Sequence, residues 1–198
     1  MKVFLCESIH PEALTLLKSR ANFLSFLEQT GYSLPQILAI LLLYGYDVQG
    51  EIDGGEEIPF DPSDCLKRAG QYAGQGDWDS VFSFFRDLEI LTPQWKNRLD
   101  APAENPAWQN DFKPLIRYFI CRYWLQAVSD YDLVCRVKFI VIACALIDAL
   151  GGDPVQTAQL FSKEIENDAD NVETILDGAY TAPGFTDANL LGLLLNSK

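Results

Sequence analysis

Apolar residues recur every three or four positions along most of the chain, the spacing that lines one face of a helix. Leu14, Leu17, Phe23 or Leu24 and Leu27 follow this period, so a first helix is predicted from Pro11 to about Gln29, stopped by Gly31. Ser33 then caps a second helix, with Pro35 in its first turn. Ile37, Leu38, Leu41 and Leu42 give it a wide apolar face, and Gly45 marks its expected end. Between residues 47 and 62 the period fails and acids, glycines and prolines accumulate (GEIDGGEEIPFDP), the text of a loop. Asp61-Pro62 reads as the cap and first residue of a third helix that Gly74 ends. Gly76-Asp77 opens a fourth, DWDSVFSFFRDLEI, striped by Val81, Phe84 or Phe85 and Leu88, and Thr92-Pro93 starts a short fifth through Leu99. The GQGDWDSVFSFF turn looks like one from a tetratricopeptide unit, but it occurs once, so a plain helical hairpin is expected there.

The run DAPAENPAWQND carries two prolines and no period. A junction at about 102–106 follows, dividing an N-terminal helical subdomain (1–101) from a C-terminal one (107–198) that packs with it as one unit. Helices are then predicted at about 111–128 and 130–150, from Asp153-Pro154, at 171–176, and at 190–195 after a Thr186 cap. Residues 139–147 are rich in β-branched side chains but continue the preceding helical text without a turn, so helix is expected there too. The fold class is therefore all-α, a bundle of about eight to ten helices without a substantial sheet. The second and seventh helices should be the most buried.

Charge narrows the function classes. The 198 residues hold 28 acids and 15 bases, a formal net charge of -13, which excludes nucleic acid or anionic lipid as a partner held by a general basic surface. The longest apolar runs fall short of the ~20 residues needed to cross a bilayer. With no leader pattern at Met1–Ile9, a soluble cytoplasmic protein is expected. The five cysteines, Cys6, Cys65, Cys121, Cys135 and Cys144, form no C-x-x-C pair and read as reduced thiols. A single histidine, His10, leaves little room for a Ser-His or Cys-His nucleophile or a structural zinc site. Nucleotide-binding glycine motifs are absent, and DGGEE lacks calcium-loop spacing, so no metal and no cofactor are expected.

One region departs from the general charge. From Phe112 to Ile147 five bases, Lys113, Arg117, Arg122, Arg136 and Lys138, face two acids, Asp130 and Asp132. Arginines on helices this apolar need partners or a cleft. Arg117, Tyr118, Arg122, Asp132, Arg136 and Lys138 are accordingly the candidate residues for binding an anionic ligand or peptide. Arg122 and Arg136 are expected to converge on one half-buried site, with Asp132 or the acids of residues 162–166 between them. Asp132 and Arg136 also have the i,i+4 spacing of a helix ion pair.

The stretch FKPLIRYFICRYWLQAVSDYDLVCRVKFIVIACALI, followed by FSKEIENDADNVETIL, resembles the C-terminal helical region of the flagellin lysine-N-methylase family. DWDSVFSFFRDLEILTPQW looks like the hairpin that precedes it there. The resemblance matches Arg122, Asp132, Arg136, Phe139, Ser162, Lys163, Glu164 and Glu166 without giving any of them a catalytic role. It further implies a cysteine-rich, iron–sulfur segment, whereas the first residues here offer Cys6 alone. The expected function is thus a helical interaction or ligand-binding protein, its partner a protein or a small acidic ligand. The alternatives are a lysine methyltransferase acting with a cysteine-bearing partner, and a purely structural module.

Overall fold

The computed structural model describes residues 10–102 and 112–196. Ten α-helices follow one another: α1 (Pro11–Gln29), α2 (Leu34–Ile52), α3 (Pro62–Tyr72), α4 (Trp78–Arg86), α5 (Pro93–Asp100), α6 (Lys113–Tyr123), α7 (Leu133–Leu150), α8 (Pro154–Phe161), α9 (Ala169–Thr181) and α10 (Asp187–Leu195). Trp124–Val128 and Pro183–Phe185 form 3₁₀ turns and Ser162–Glu166 a π turn. No strand occurs among the described residues, and none of their helices is long and apolar enough to cross a membrane. The fold is the expected all-α bundle.

Helix starts follow side-chain chemistry. Asp61, Asp77, Thr92, Asp132, Asp153, Asp168 and Thr186 each accept a backbone N–H from the turn they cap, and Ser33 with Gln36 forms a capping box. At the centre lies α7, all 18 of whose residues are buried, with α2, α6, α8 and α9 packed around it. Together with the long apolar face of α2, this meets the expectation that the second and seventh helices lie deepest.

Several boundaries differ from the sequence reading. α2 does not stop at Gly45 but continues to Ile52, so the first part of the expected loop is helical. Gly45 serves close packing instead: a Cβ there would lie 2.9 Å from Val137 Cγ1 on α7. Polar bonds hold the added turns, since Asp47 pairs with Arg68 of α3 and Gln49 Oε1 accepts the Leu133 N–H at 2.7 Å. α6 gives way to the 3₁₀ turn at Trp124, and α9 begins earlier and runs further than expected, from Ala169 to Thr181.

The expected α3–α4 hairpin is opened by α10. α3 packs mainly on α2 and α10, and α4 on Pro183–Phe185 and α5. The intervening turn lies directly on α10: Gly74 N–H donates to Ala188 O at 2.8 Å, and a Cβ on Gly192 would stand 2.5 Å from Gly76 N. Gly76 itself has φ 78°, where a side chain is strained. Gly192→Ala is expected to cost about 1–3 kcal/mol, because the obstructing atoms are backbone and cannot swing aside. Gly31→Ala, with nothing within 4 Å of its Cβ, should be close to neutral in the same urea denaturation series.

The expected junction lies, from residue 103 onward, outside the described residues. The two halves meet elsewhere: α1 packs on α6 and Trp124–Val128, and α2 on α7.

Candidate functional site

A groove of about 370 Å3 runs between α6 and α8. Phe112, Pro114, Leu115 and Phe119 form one wall, and Pro154, Val155 and Ala158 the other. Its polar end is built by Tyr118, Gln159, Ser162 and Glu166. The π turn places this end. A π turn inserts one residue into helical winding, and here the Asn167 N–H reaches back to Ser162 O at 3.0 Å. Glu164, Ile165 and Glu166 are all buried.

Glu166 is the hub. Its side chain is 1% exposed, and Arg122 Nε lies 2.9 Å from Oε1. The hydroxyls of Tyr118 and Tyr123 each donate to Oε1 at 3.0 Å, and Tyr118 also reaches Oε2 at 3.2 Å. Burial first, and then the Glu166 carboxylate, raise both tyrosines above their ordinary range, so both remain protonated donors. The Phe139 ring, 4.4 Å from that of Tyr123, closes the site from α7. Arg122 is 45% exposed and turns one edge to the carboxylate.

The six residues singled out from the sequence occupy separate places. Tyr118 lines the groove, and Arg122 stands beside it, paired with Glu166. Arg117 forms an exposed pair with Glu28 of α1, worth about 0–1 kcal/mol. Arg136 and Lys138 form no open basic face; they are 7% and 5% exposed because α7 is covered on every side. Lys138 Nζ donates to Ala179 O and Phe185 O and lies 2.9 Å from Asp187 Oδ1.

Arg122 and Arg136 meet different acids rather than one shared site. Arg136 Nη2 pairs with Asp130 at 2.6 Å, and its Nη1 bonds the backbone carbonyl of Asp132. The expected Asp132–Arg136 carboxylate pair gives way to this arrangement, since the Asp132 carboxylate accepts the Cys135 N–H as a cap and the Tyr180 hydroxyl at 2.6 Å.

An acid of residues 162–166 was expected beside Arg122, and Glu166 is that acid; the apolar groove and its α8 wall are the parts that sequence reasoning did not place. The two acids flanking Ile165 in FSKEIEND were the available signal; both are buried, Glu166 against Tyr118 and Tyr123 and Glu164 against Leu91 and Thr92.

Thiol chemistry is disfavoured at the described core cysteines, because burial pushes Cys65 and Cys135 up to about 12. Among the described residues no group of His, Cys, Asp or Glu could hold a metal ion. Cys6 lies outside them, and His10 is exposed.

Fold and site together define an all-α helical bundle carrying an apolar groove that ends on a buried, hydrogen-bonded carboxylate. No family model, no curated protein and no solved structure matches the chain.

Proposed function

We propose that this chain is a ligand-binding helical protein whose site is the α6–α8 groove, and that the ligand has an apolar body ending in a hydroxyl or amine donor. The observation behind this reading is the meeting of an apolar trough with the single buried carboxylate of Glu166. The volume lies in the range of small-molecule pockets. Glu166 Oε2 accepts only the longer of the Tyr118 bonds, which leaves it able to take a further hydrogen. The resemblance to the flagellin lysine-N-methylase helical region accords with this, since Arg122, Phe139, Ser162 and Glu166, which it matches, lie together at or beside this carboxylate.

A second reading, an acidic ligand seated on Arg122, draws on the exposure of that guanidinium. Titration with hexanol, hexylamine and hexanoate, followed by NMR of the Val155 and Ala158 methyls, separates the two. The alcohol and amine are expected to shift these signals saturably. Hexanoate should bind about tenfold more weakly, because its carboxylate approaches Glu166. Val155→Asp should abolish the shifts. Tightest binding by hexanoate, lost in Arg122→Gln, would establish the second reading instead. No saturable shift with any of the three would exclude both.

A further inference from the structure

Away from that groove, the end of α2, the start of α7 and the outer face of α9 border a further, open pocket of about 460 Å3. Three tyrosines, Tyr46, Tyr131 and Tyr180, and two carboxylates, Asp53 and Asp132, line it, and its lining includes no basic side chain. The geometry points to a binding site for a methylated ammonium group, a cation that aromatic faces and nearby carboxylates attract without having to coordinate it.

The rings and acids are held in place before any ligand arrives. Tyr46 donates its hydroxyl to Asp187 at 2.8 and 2.9 Å, and Tyr180 donates to Asp132 at 2.6 Å. Tyr131 has φ 59°, an unusual conformation for a residue with a bulky side chain. Two bonds enforce it: the Tyr131 N–H donates to Ala127 O at 2.7 Å, and Gln49 Nε2 donates to Tyr131 O at 2.9 Å. The same Gln49 amide reaches Asp53 Oδ1 at 2.9 Å, so one side chain ties an aromatic wall to an acidic one.

The local charge agrees. Arg136 lies behind Asp132, but its guanidinium is paired with Asp130, so three carboxylates stand against one cation around the cavity. Lys138, further along α7, is matched by Asp187. A bare metal ion is a poorer fit, since only two carboxylates line a space far larger than an ion and no metal-holding cluster exists among the described residues. A methylated ammonium is bulky, weakly hydrated and unable to use all its charge in hydrogen bonds, so ring faces suit it better than they suit ammonium itself.

Such a group can come from a free small molecule or from a choline lipid headgroup. Tetramethylammonium, choline and ammonium chlorides, titrated at constant ionic strength with NMR of the tyrosine rings, test the site. Saturable shifts are expected for the first two at roughly millimolar concentrations, with ammonium several-fold weaker. Tyr180→Leu, at a side chain 60% exposed and so safe for folding, should weaken choline by about five- to tenfold. Asp53→Asn should weaken it less and flatten its salt dependence. Sedimentation with phosphatidylcholine vesicles that Tyr180→Leu abolishes would assign the lipid source, and choline binding without sedimentation the free one. Ammonium binding as tightly as tetramethylammonium, unchanged choline affinity in Tyr180→Leu, or no saturable shift would each overturn the proposal.

Discussion

Lys138→Met is expected to lower the melting temperature by roughly 6–12 °C, as about 3 kcal/mol is lost from a domain of this size. Methionine preserves the length and apolar stem, so no large cavity forms. What disappears is the ammonium that serves two carbonyls at once, Ala179 O in the last turn of α9 and Phe185 O at the end of the Pro183–Phe185 turn, beside Asp187 at the start of α10. Each acceptor would be left without its buried donor. Lys138 thus joins α7 to three C-terminal elements through one charge placed at a helix C-terminus, where a cation is favoured. Differential scanning calorimetry of Lys138→Met beside Lys113→Met, whose lysine is half-buried and bonds one carbonyl, Thr30 O, gives the comparison. Equal shifts in the two would refute this assignment.

The second large effect is expected at Glu164, which is 0% exposed and turned away from the groove. Its Oε2 accepts the Leu91 N–H at 2.8 Å, and Oε1 accepts the Thr92 hydroxyl. Thr92 caps α5, and with its hydrogen given to Glu164 its lone pair faces the Trp95 N–H. The backbone carbonyl of Glu164 accepts from Asn171, whose amide also bonds Glu89 O. Glu164→Leu should therefore cost about 2–4 kcal/mol by stranding the Leu91 donor and disorienting the cap. Thr92→Val alone should cost about 1 kcal/mol. The double variant should cost clearly less than the sum, because the two residues share one bond. Strict additivity in urea denaturation would show that the carboxylate acts independently of the cap.

These two residues show how far the sequence could be read. Helix starts were legible because they depend on local chemistry: Asp61-Pro62, Thr92-Pro93 and Asp153-Pro154 each cap where they stand. Gly45 was misread because its role is set by Val137, 92 positions away, and a packing glycine looks the same in sequence as a stopping one. The basic residues of α7 stand in apolar text, where a charge needs a partner. Their partners, however, are backbone carbonyls and acids brought close only by the fold. At the groove, Tyr118 and the meeting of Arg122 with an acid of residues 162–166 were legible, whereas the π turn that carries this acid has an extra residue with no sequence signature of its own.

The complete enclosure of α7 also bears on how the chain must be made. Leu133–Leu150 has no face suited to water, so until α8, α9 and α10 close over it this helix is a sticky surface rather than a scaffold. Of the helices around it, α2 and α6 come before it in the chain and α8, α9 and α10 after, so synthesis delivers the centre of the protein before its covering is complete. The fold must therefore close late and as a whole, and the amides of α7 can exchange with solvent only when the entire domain opens.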